Sequence, residues 1–399
     1  MLCAFATGLM FTWSYFREPL SRLFPTWTSA DLSAIFSFHN TAVCVTMILT
    51  GLIAKKVSPR IRILIGAILI GAGFGSYPFL PTDDPGKAFI MAVVFFTIIA
   101  AAGVGLCSTT WIGTFVLWAP DRPGMMVGCM LLVYSCCPII YGVIASVLIP
   151  VTGVLATMRT IGIISTVIFI ACLPFVRMPE PEDGLPAARV SVANRNDKSF
   201  SPLQLLKTPI FWAMFLFNIF MRSAGLIFAD HNADIALSFG IAALFGLIYS
   251  PAQGIAGFVS GALVDKFGSP KTMRLFSCIL LAASVLLYFS GVSGAAVIAL
   301  AGLIGTGFAF GGTSAANSST IRLFFGAEYY TQNYSISTFS IFFASGFCYI
   351  AGLIVDRMEG SYYGVYMMAL IFGAAAFACT IWLAACVKKE AARNSVNEE

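Results

Sequence analysis

The sequence predicts an all-α polytopic membrane protein with twelve transmembrane helices in two six-helix halves. Three observations lead to this prediction: an apolar composition, apolar runs of spanning length, and an uneven distribution of Lys and Arg among the loops. Of the 399 residues, 59% are hydrophobic and 10% are charged, whereas soluble domains are usually about 25% charged. A surface buried in a lipid bilayer explains so few charges. No segment outside the predicted membrane spans is long enough to hold the basic patch that a nucleic-acid partner requires.

The apolar runs fall into two sets of six. They lie near residues 1–16, 31–54, 61–80, 88–118, 125–149 and 158–176 and, after a polar gap, near 208–229, 238–264, 274–291, 295–321, 332–355 and 362–387. Most exceed the roughly eighteen residues needed to span a bilayer, and in lipid such segments must be helical. The first run would be about 24 Å long as a helix. Because the hydrocarbon core is about 30 Å thick, we expect this helix to continue past Arg17 or the true start to lie upstream.

The polar gap divides the chain into parts. We predict an N-terminal half over 1–177, a cytoplasmic linker over 178–207, a C-terminal half over 208–387 and a cytoplasmic tail over 388–399. The linker is rich in proline and charge, so it cannot bury much apolar surface.

Lys and Arg in the loops predict the orientation. Seventeen of the 23 lie on the side of the linker and five on the opposite side, while Arg222 lies inside a run. Because cytoplasmic loops carry the excess of basic residues, we expect both termini and the linker to face the cytoplasm. The protein would then be a multi-pass protein of the inner (cytoplasmic) membrane.

Few residues suit metal or redox chemistry. The eleven cysteines are scattered through apolar runs with no CxxC pair, and His39 and His231 are the only histidines. We interpret the cysteines as small buried apolar residues, and we expect no metal site and no cofactor. The sequence contains no nucleophile–base set and no ATP-binding motif, so we predict that the protein is not an enzyme.

One loop carries a pattern that points to a transporter family. The residues Gly261-Ala-Leu-Val-Asp265-Lys266-Phe-Gly268-Ser-Pro-Lys271 resemble the conserved gating loop of the major facilitator superfamily. A second copy begins 210 residues earlier at Gly51, with Lys55 in the place of the acid. Two copies in matching places are typical of a fold built from repeated halves. We predict Gly261, Asp265, Lys266 and Gly268 as a gating loop in which the acid latches the cytoplasmic side.

Four further segments resemble a narrower family, the oxalate:formate antiporters, which are similar to monocarboxylate transporters. They are Phe11-Thr-Trp13-Ser-Tyr-Phe16-Arg17-Glu-Pro19-Leu, Trp118-Ala-Pro-Asp121-Arg122-Pro-Gly124, Leu206-Lys-Thr-Pro209-Ile-Phe-Trp212 and Phe325-Gly326-Ala-Glu-Tyr-Tyr-Thr-Gln-Asn333-Tyr334. The resemblance implies a small-molecule substrate bound at mid-membrane between the halves and moved by alternating access. Small organic anions are the family's usual cargo, often exchanged for another anion, and a monomer is its usual state.

The sequence departs from this family at two positions. Oxalate carriers place one basic residue on the eighth helix and one on the eleventh, which align with Gly257 and with Ser340 or Ile341. None of these is basic, so a clamp for a dicarboxylate is absent and oxalate is disfavoured as the substrate.

Arg222 is the one charge inside a predicted span. Such a charge is expensive in lipid unless it is paired or faces water. We predict that Arg222 holds a substrate carboxylate by charge-assisted hydrogen bonds. The alternative is that it extends outward to the membrane surface or pairs with Asp230 on the same helix.

His39 could be a proton site, because its unperturbed pKa lies near the physiological range, but a lone buried histidine is more often a packing residue. Asp31, Asp230 and Asp234 lie at the predicted rims of spans, and no acid lies deep in one. This favours exchange or facilitated movement over proton symport.

Polar and aromatic residues cluster in the first, fourth, seventh and tenth runs. We predict that several of them line the substrate site with Arg222: Trp13, Tyr15, Thr110, Trp111, Asn218 and Asn317. Alternatives are an interfacial aromatic belt for Trp13 and Tyr15 and core packing for Trp111. Gly302, Gly305, Gly307, Gly311 and Gly312 favour close helix packing.

Two functions therefore stay open. The first is a secondary active or exchange transporter of a small organic anion, in particular a monocarboxylate. The second is a transporter of the same fold for a neutral or amphipathic solute, which could be linked to protons.

Overall fold

The computed structural model describes residues 1–53, 56–115, 118, 123–179, 199–326 and 329–398. These residues form helices joined by short loops, and none of them forms a strand. Eleven helices in this part of the chain are long and apolar enough to cross a membrane. The first helical stretch precedes them and is interrupted, which makes about twelve spans.

The first half contains helices α1 to α6. Helix α1 covers residues 2–23 as Leu2–Thr7, a 3-10 turn over Gly8–Thr12, and Trp13–Leu23. Then follow α2 (Ser29–Ile53), α3 (Pro59–Gly75), α4 (Pro85–Phe115, with a π-helical stretch over Val93–Ala100), α5 (Pro123–Thr152) and α6 (Val154–Cys172).

The second half contains α7 to α12, after a short helix over Pro202–Leu206. They are α7 (Pro209–Ser238), α8 (Tyr249–Phe267, after a single turn over Ala243–Gly246), α9 (Ser269–Ser293) and α10 (Ala296–Phe325). Helix α11 has two parts, Tyr330–Thr338 and Ser340–Arg357, and α12 covers Tyr363–Glu398.

Three of these helices begin at the same kind of local signal. The side chains of Ser58, Asp84 and Thr208 accept hydrogen bonds from backbone N–H groups in the first turns of α3, α4 and α7. Each is followed by a proline, which has no N–H to leave unpaired at the first helical position. Polar capping residues before a proline therefore set these starts.

The alternation of the helices gives the bundle two ends. We call the end that holds the linker 178–207 the linker end. The opposite end, which holds the α1–α2, α7–α8 and α11–α12 loops, is the distal end. The two halves meet along α2 against α11 and α5 against α8.

Glycines allow the closest helix contacts, as the sequence indicated. A Cβ atom built on Gly311 of α10 would lie 1.8 Å from the carbonyl oxygen of Gln253 on α8. Only a glycine lets the two backbones approach this closely. The glycine run of α10 is therefore a packing surface, which confirms that prediction.

Two boundaries differ from the apolar runs in an informative way. Helix α1 continues past Arg17 to Leu23, which is one of the two expected outcomes for the first span. Helix α7 extends to Ser238, so Asp230 lies within the helix with no exposed surface. The predicted end of this span at residue 229 is therefore too early, and Asp230 is a buried residue of α7 near its distal end. The apolar run ended at residue 229 because hydropathy alone does not show that Arg17 of the other half neutralises this carboxylate.

Candidate functional site

Arg222 lies in the middle of α7 and is buried. It follows thirteen residues after Pro209, which places it about 20 Å along the helix, and its exposed fraction is 6%. The guanidinium lies beside the hydroxyl of Tyr334 on α11 and the thiol of Cys44 on α2. Its Nε atom has no hydrogen-bond partner among the residues that the structure describes. Among the described residues, no carboxylate oxygen lies within 4.0 Å of it.

A chain of neutral polar side chains lies one turn from Arg222. Asn218 Nδ2 donates to Asn317 Oδ1 of α10 at 2.7 Å, and Ser337 Oγ of α11 donates to the same oxygen at 3.0 Å. Asn218 and Arg222 are four residues apart, so they project from the same face of α7. We call Arg222, Tyr334, Asn218, Asn317 and Ser337 the central cluster.

The amide orientations in the central cluster follow from their bonds. Asn218 Nδ2 also donates to the Met214 carbonyl at 2.9 Å, so its nitrogen, not its oxygen, must face that carbonyl. This leaves Asn218 Oδ1 and Asn317 Nδ2 as buried atoms for which the described residues provide no partner. Buried polar atoms normally find partners. The cluster therefore offers a guanidinium N–H, an amide N–H and an amide oxygen to a bound solute.

The candidates on the first half have other contacts. Trp111 Nε1 donates to Thr7 Oγ1 at 3.0 Å, which joins α4 to α1, and Thr110 Oγ1 donates to the backbone carbonyl of Leu106. Trp13 stacks on Phe96 of α4, with 5.0 Å between ring centroids. Tyr15 lines a cleft at the distal end. The structure brings Asn218 and Asn317 together near Arg222, and it gives the four first-half candidates no described contact with that residue.

His39 packs inside the first half. Its ring also stacks on Phe96, with 4.1 Å between centroids, and its Nδ1 atom lies 2.9 Å from the Phe96 carbonyl oxygen. The Nε2 atom is buried without a partner.

The gating-loop residues lie at the linker end of α8. Helix α8 ends at Gly268, whose φ of 80° is in the left-handed region that favours glycine. Lys266 Nζ lies over the Phe267 ring at 5.3 Å from its centroid. Gly261 lies within α8. The side chain of Asp265, like Lys55 in the matching loop and Asp121 and Arg122 in the α4–α5 turn, lies outside the described part of the chain.

A second buried polar cluster joins the two halves at the distal end. Arg17 of α1 donates to Asp230 Oδ1 at 2.9 Å and to Asp234 Oδ2 at 2.6 Å, both on α7. It also donates to Ser33 Oγ of α2 at 3.0 Å, and Ser33 in turn donates to Asp230 Oδ2 at 2.6 Å. His231 lies within the same group. We call Arg17, Ser33, Asp230, His231 and Asp234 the distal latch.

Further contacts continue across the halves beside the distal latch. Asp356 at the end of α11 accepts from the backbone N–H groups of Ser29 and Ala30, which caps the start of α2 from the other half. Ser14 donates to Asn232 at 2.9 Å. Tyr362, in the α11–α12 loop, lies against Asp234, and burial together with that carboxylate raises its pKa well above the usual value. These contacts hold the two halves together at the distal end.

Sequence reasoning missed several of these residues. Tyr334 was noted only as part of a motif, and nothing in the sequence around Ser337 or Cys44 pointed to a binding role for them. Asp230 was considered as a partner of Arg222, but the structure pairs it with Arg17. The presence of Asp230 eight residues after Arg222 could have indicated that α7 carries a second buried charge. Nothing in the sequence selects the partner on α1, which is 213 residues away. Within the described residues, no three His, Cys, Asp or Glu side chains come together as metal ligands.

The chain is similar to known transporters along most of its length. The sequence model of the Major Facilitator Superfamily matches residues 1–347. The oxalate:formate antiporter of Oxalobacter formigenes is 25% identical over 350 residues, which cover 84% of this chain and 78% of that protein. An uncharacterised transporter of the major facilitator type from Escherichia coli K12 is 22% identical over 342 residues, covering 84% of this chain and 81% of its own.

Solved structures agree on the fold. The crystal structure of a D-xylose–proton symporter superimposes with a TM-score of 0.69 at 16% identity and covers 96% of both chains. The E. coli fucose–proton symporter gives a TM-score of 0.58 at 16% identity, covering 96% of this chain and 98% of its own. These matches confirm the predicted all-α fold of two six-helix halves. The protein is a multi-pass membrane transporter rather than an enzyme, and the chain belongs to the major facilitator superfamily.

Proposed function

We propose that this transporter moves a small organic anion, a monocarboxylate, by alternating access, with Arg222 as the main contact of the carboxylate. The observation that carries the proposal is the state of Arg222. It is a buried cation at mid-helix with no carboxylate partner among the described residues and a free Nε atom.

A bound carboxylate would complete this site. An isolated buried charge costs several kcal/mol, and a substrate anion can offset that cost with charge-assisted hydrogen bonds to the guanidinium. Asn317 Nδ2, to which the described part of the chain gives no partner, is a second donor for the same anion. Asn218 and Asn317 are therefore proposed as further substrate contacts.

A single cation favours a monocarboxylate over a dicarboxylate. The positions that align with the two bases of oxalate carriers are Gly257 and Ser340 or Ile341. The relative named an oxalate:formate antiporter takes, by its name, one dicarboxylate (oxalate) and one monocarboxylate (formate). Exchange of one monocarboxylate for another agrees with a single arginine in the central cluster and with an electrically balanced cycle.

The proposed setting is the inner membrane, with the linker end in the cytoplasm. The excess of Lys and Arg at the linker end supports this orientation. The distal latch would then close the external side, and the gating loop with Asp265 would lie on the cytoplasmic side.

Counterflow in proteoliposomes tests the proposal. Vesicles with purified protein are loaded with unlabelled formate, acetate, lactate, oxalate or succinate, and uptake of the labelled solute is followed. We expect exchange of a monocarboxylate and a loss of about tenfold or more in Arg222→Gln, since a hydrogen bond to a charged group contributes about 1.5–3 kcal/mol. Arg22→Gln is the control, because Arg22 is exposed and its described ion pair is with Glu18 on its own helix.

If no carboxylate exchanges, or if Arg222→Gln exchanges as fast as the wild type, the anion proposal is wrong. A second candidate function would then apply. The amide pair and Ser337 give the central cluster uncharged donors and acceptors that suit a neutral hydroxyl-bearing solute. The same counterflow assay with labelled sugars and polyols would detect it.

A further inference from the structure

The distal latch contains a buried histidine with a free nitrogen. His231 has no exposed surface, and its Nδ1 atom has no hydrogen-bond partner in the described part of the chain. Nδ1 lies 3.9 Å from Asp234 Oδ2, and Nε2 lies 3.5 Å from Asp230 Oδ2 and 3.2 Å from Ser33 Oγ. The imidazole thus lies between two carboxylates of its own helix, at a place where the two halves meet.

The hydrogen bonds of Ser33 fix the tautomer of His231. The single hydroxyl proton of Ser33 is donated to Asp230 Oδ2, which lies at 2.6 Å. Ser33 Oγ must therefore accept from its other neighbours, Arg17 Nη1 and His231 Nε2. A neutral His231 then carries its proton on Nε2, so the free Nδ1 atom is a vacant proton acceptor.

Arg17 already donates to the carboxylate oxygen that a proton on Nδ1 would reach. Asp234 Oδ2 accepts from Arg17 Nε at 2.6 Å, and the same oxygen is the nearest carboxylate oxygen given for His231 Nδ1. While the latch is closed, a second positive charge on His231 would therefore face Arg17 and share its acceptor. When the halves separate, Arg17 and Ser33 leave with the first half. His231, Asp230 and Asp234 stay together on α7, and the oxygen of Asp234 becomes free.

We propose that His231 is a proton-binding site that operates the distal latch. Binding of a proton at Nδ1 gives the α7 carboxylates a partner on their own helix, repels Arg17 and opens the distal side. The sign follows from linkage: the open state binds the proton more tightly than the closed state, so acid shifts the population towards the open state. This inference goes beyond the proposed anion transport, because it concerns access to the site whatever the cargo is.

The other groups that face His231 do not take over this role. Helix α1 contributes Arg17, which stays positively charged. Helix α2 contributes Ser29 and Ser33, which stay neutral. Helix α11 contributes the Cys348 thiol, which lies near Asp230 and Arg17. From the α11–α12 loop, the Tyr362 ring packs edge-on against His231 at 5.6 Å between centroids. Its hydroxyl stays neutral at physiological pH because its pKa is raised.

Distance measurement between the halves tests the proposal without any substrate. Spin labels are attached to a ketone amino acid introduced at Lys87 and Ser293, which are exposed at the distal ends of the two halves, so that the native cysteines stay unchanged. Distances are measured by pulsed electron paramagnetic resonance in phosphatidylcholine nanodiscs between pH 8 and pH 5. We expect the ratio of long to short distances to rise about tenfold as the pH falls, the effect of a tenfold preference of the proton for the open state.

Substitutions at the two histidines test which of them causes the change in distance with pH. His231→Gln should show no dependence on pH, whereas His39→Gln should respond as the wild type does. Asp234→Asn, which weakens the acceptor of Arg17, should show the long distances already at pH 8, and it tests the latch if His231→Gln does not fold.

Four outcomes would overturn the proposal: a wild-type distribution that does not change with pH, closure instead of opening in acid, an unchanged response in His231→Gln, or loss of the response in His39→Gln. Because no transport is measured, a failure here is distinct from a failure of the anion proposal.

Discussion

Three arginines are buried among the described residues, Arg17, Arg62 and Arg222, and Arg17 and Arg222 differ in the charge that surrounds them. Arg17 has 1% of its side chain exposed and donates to two carboxylates, two serine hydroxyls and a backbone carbonyl. Arg222 has 6% exposed, and the residues described around it are a phenol, a thiol and amides. Both lie in the bundle, about two helical turns apart along α7 if Asp230 marks the level of Arg17.

The difference separates a structural cation from one that is available to a ligand. The chain itself supplies the negative charge for Arg17, so that residue joins the halves. For Arg222, the described part of the chain supplies none, so an anion from outside can fill the place. Under the proposed function the same residue type has two roles, and the presence of an internal carboxylate decides between them.

The largest expected effect comes from making the same substitution at both arginines. Arg17→Gln leaves Asp230 buried without its cation, and breaking a buried pair in this way costs about 3–5 kcal/mol. We expect the thermal unfolding midpoint in detergent to fall sharply at pH 8. Arg222→Gln removes an unpaired charge, so its midpoint should stay level or rise. Equal shifts in the two variants would contradict the comparison.

The next effect concerns stabilisation by ligand. A carboxylate that exchanges in proteoliposomes should raise the unfolding midpoint of the wild type, by the equivalent of about 2.7 kcal/mol at a concentration one hundred times its Kd. Arg222→Gln should lose this stabilisation. Arg22→Gln, at an exposed position near the other arginine, should keep it. A ligand-induced shift that survives in Arg222→Gln would place the anion elsewhere.

A smaller effect should follow when Arg222 is given an internal partner. Cys44→Asp introduces a carboxylate beside the guanidinium, which makes Arg222 resemble Arg17. We expect the apparent affinity for the anion in counterflow to weaken about tenfold, or by about 1.4 kcal/mol, because the new carboxylate competes for the guanidinium. Cys44→Ser is the control for the loss of the thiol. An anion affinity that is the same in both variants would show that Cys44 does not face the site.

The smallest effect lies beside the distal latch. Asp356→Asn weakens the cap that α11 gives to α2, and helix caps contribute about 1 kcal/mol. We expect a modest fall in the unfolding midpoint, smaller than that of Arg17→Gln. A loss as large as that of Arg17→Gln would mean that the cap, and not the ion pairs, holds the distal ends together.

Part of the central cluster was predictable because its residues are unusual where they stand. Arg222 and Asn218 are polar residues in an apolar run, as is Asn317 in the tenth run, and the cost of burying such groups makes them visible in a sequence. Tyr334 and Ser337 lie in a stretch that already contains several polar residues, so neither stood out there. Trp13 and Trp111 look equally suited to a binding site, yet their described contacts are with Phe96 and Thr7.

By itself, the sequence determined the helical spans, the two halves and the buried charge at Arg222. These depend on local hydropathy and on the length of a segment relative to the bilayer, which each segment carries in its own composition. Only the tertiary structure decided which arginine has a partner. The contact between Arg17 and Asp230 joins residues 213 positions apart, and hydropathy treats both as charges at the edges of apolar runs. Burial of that pair depends on how the two halves pack, because only their packing brings the opposite charges together out of water.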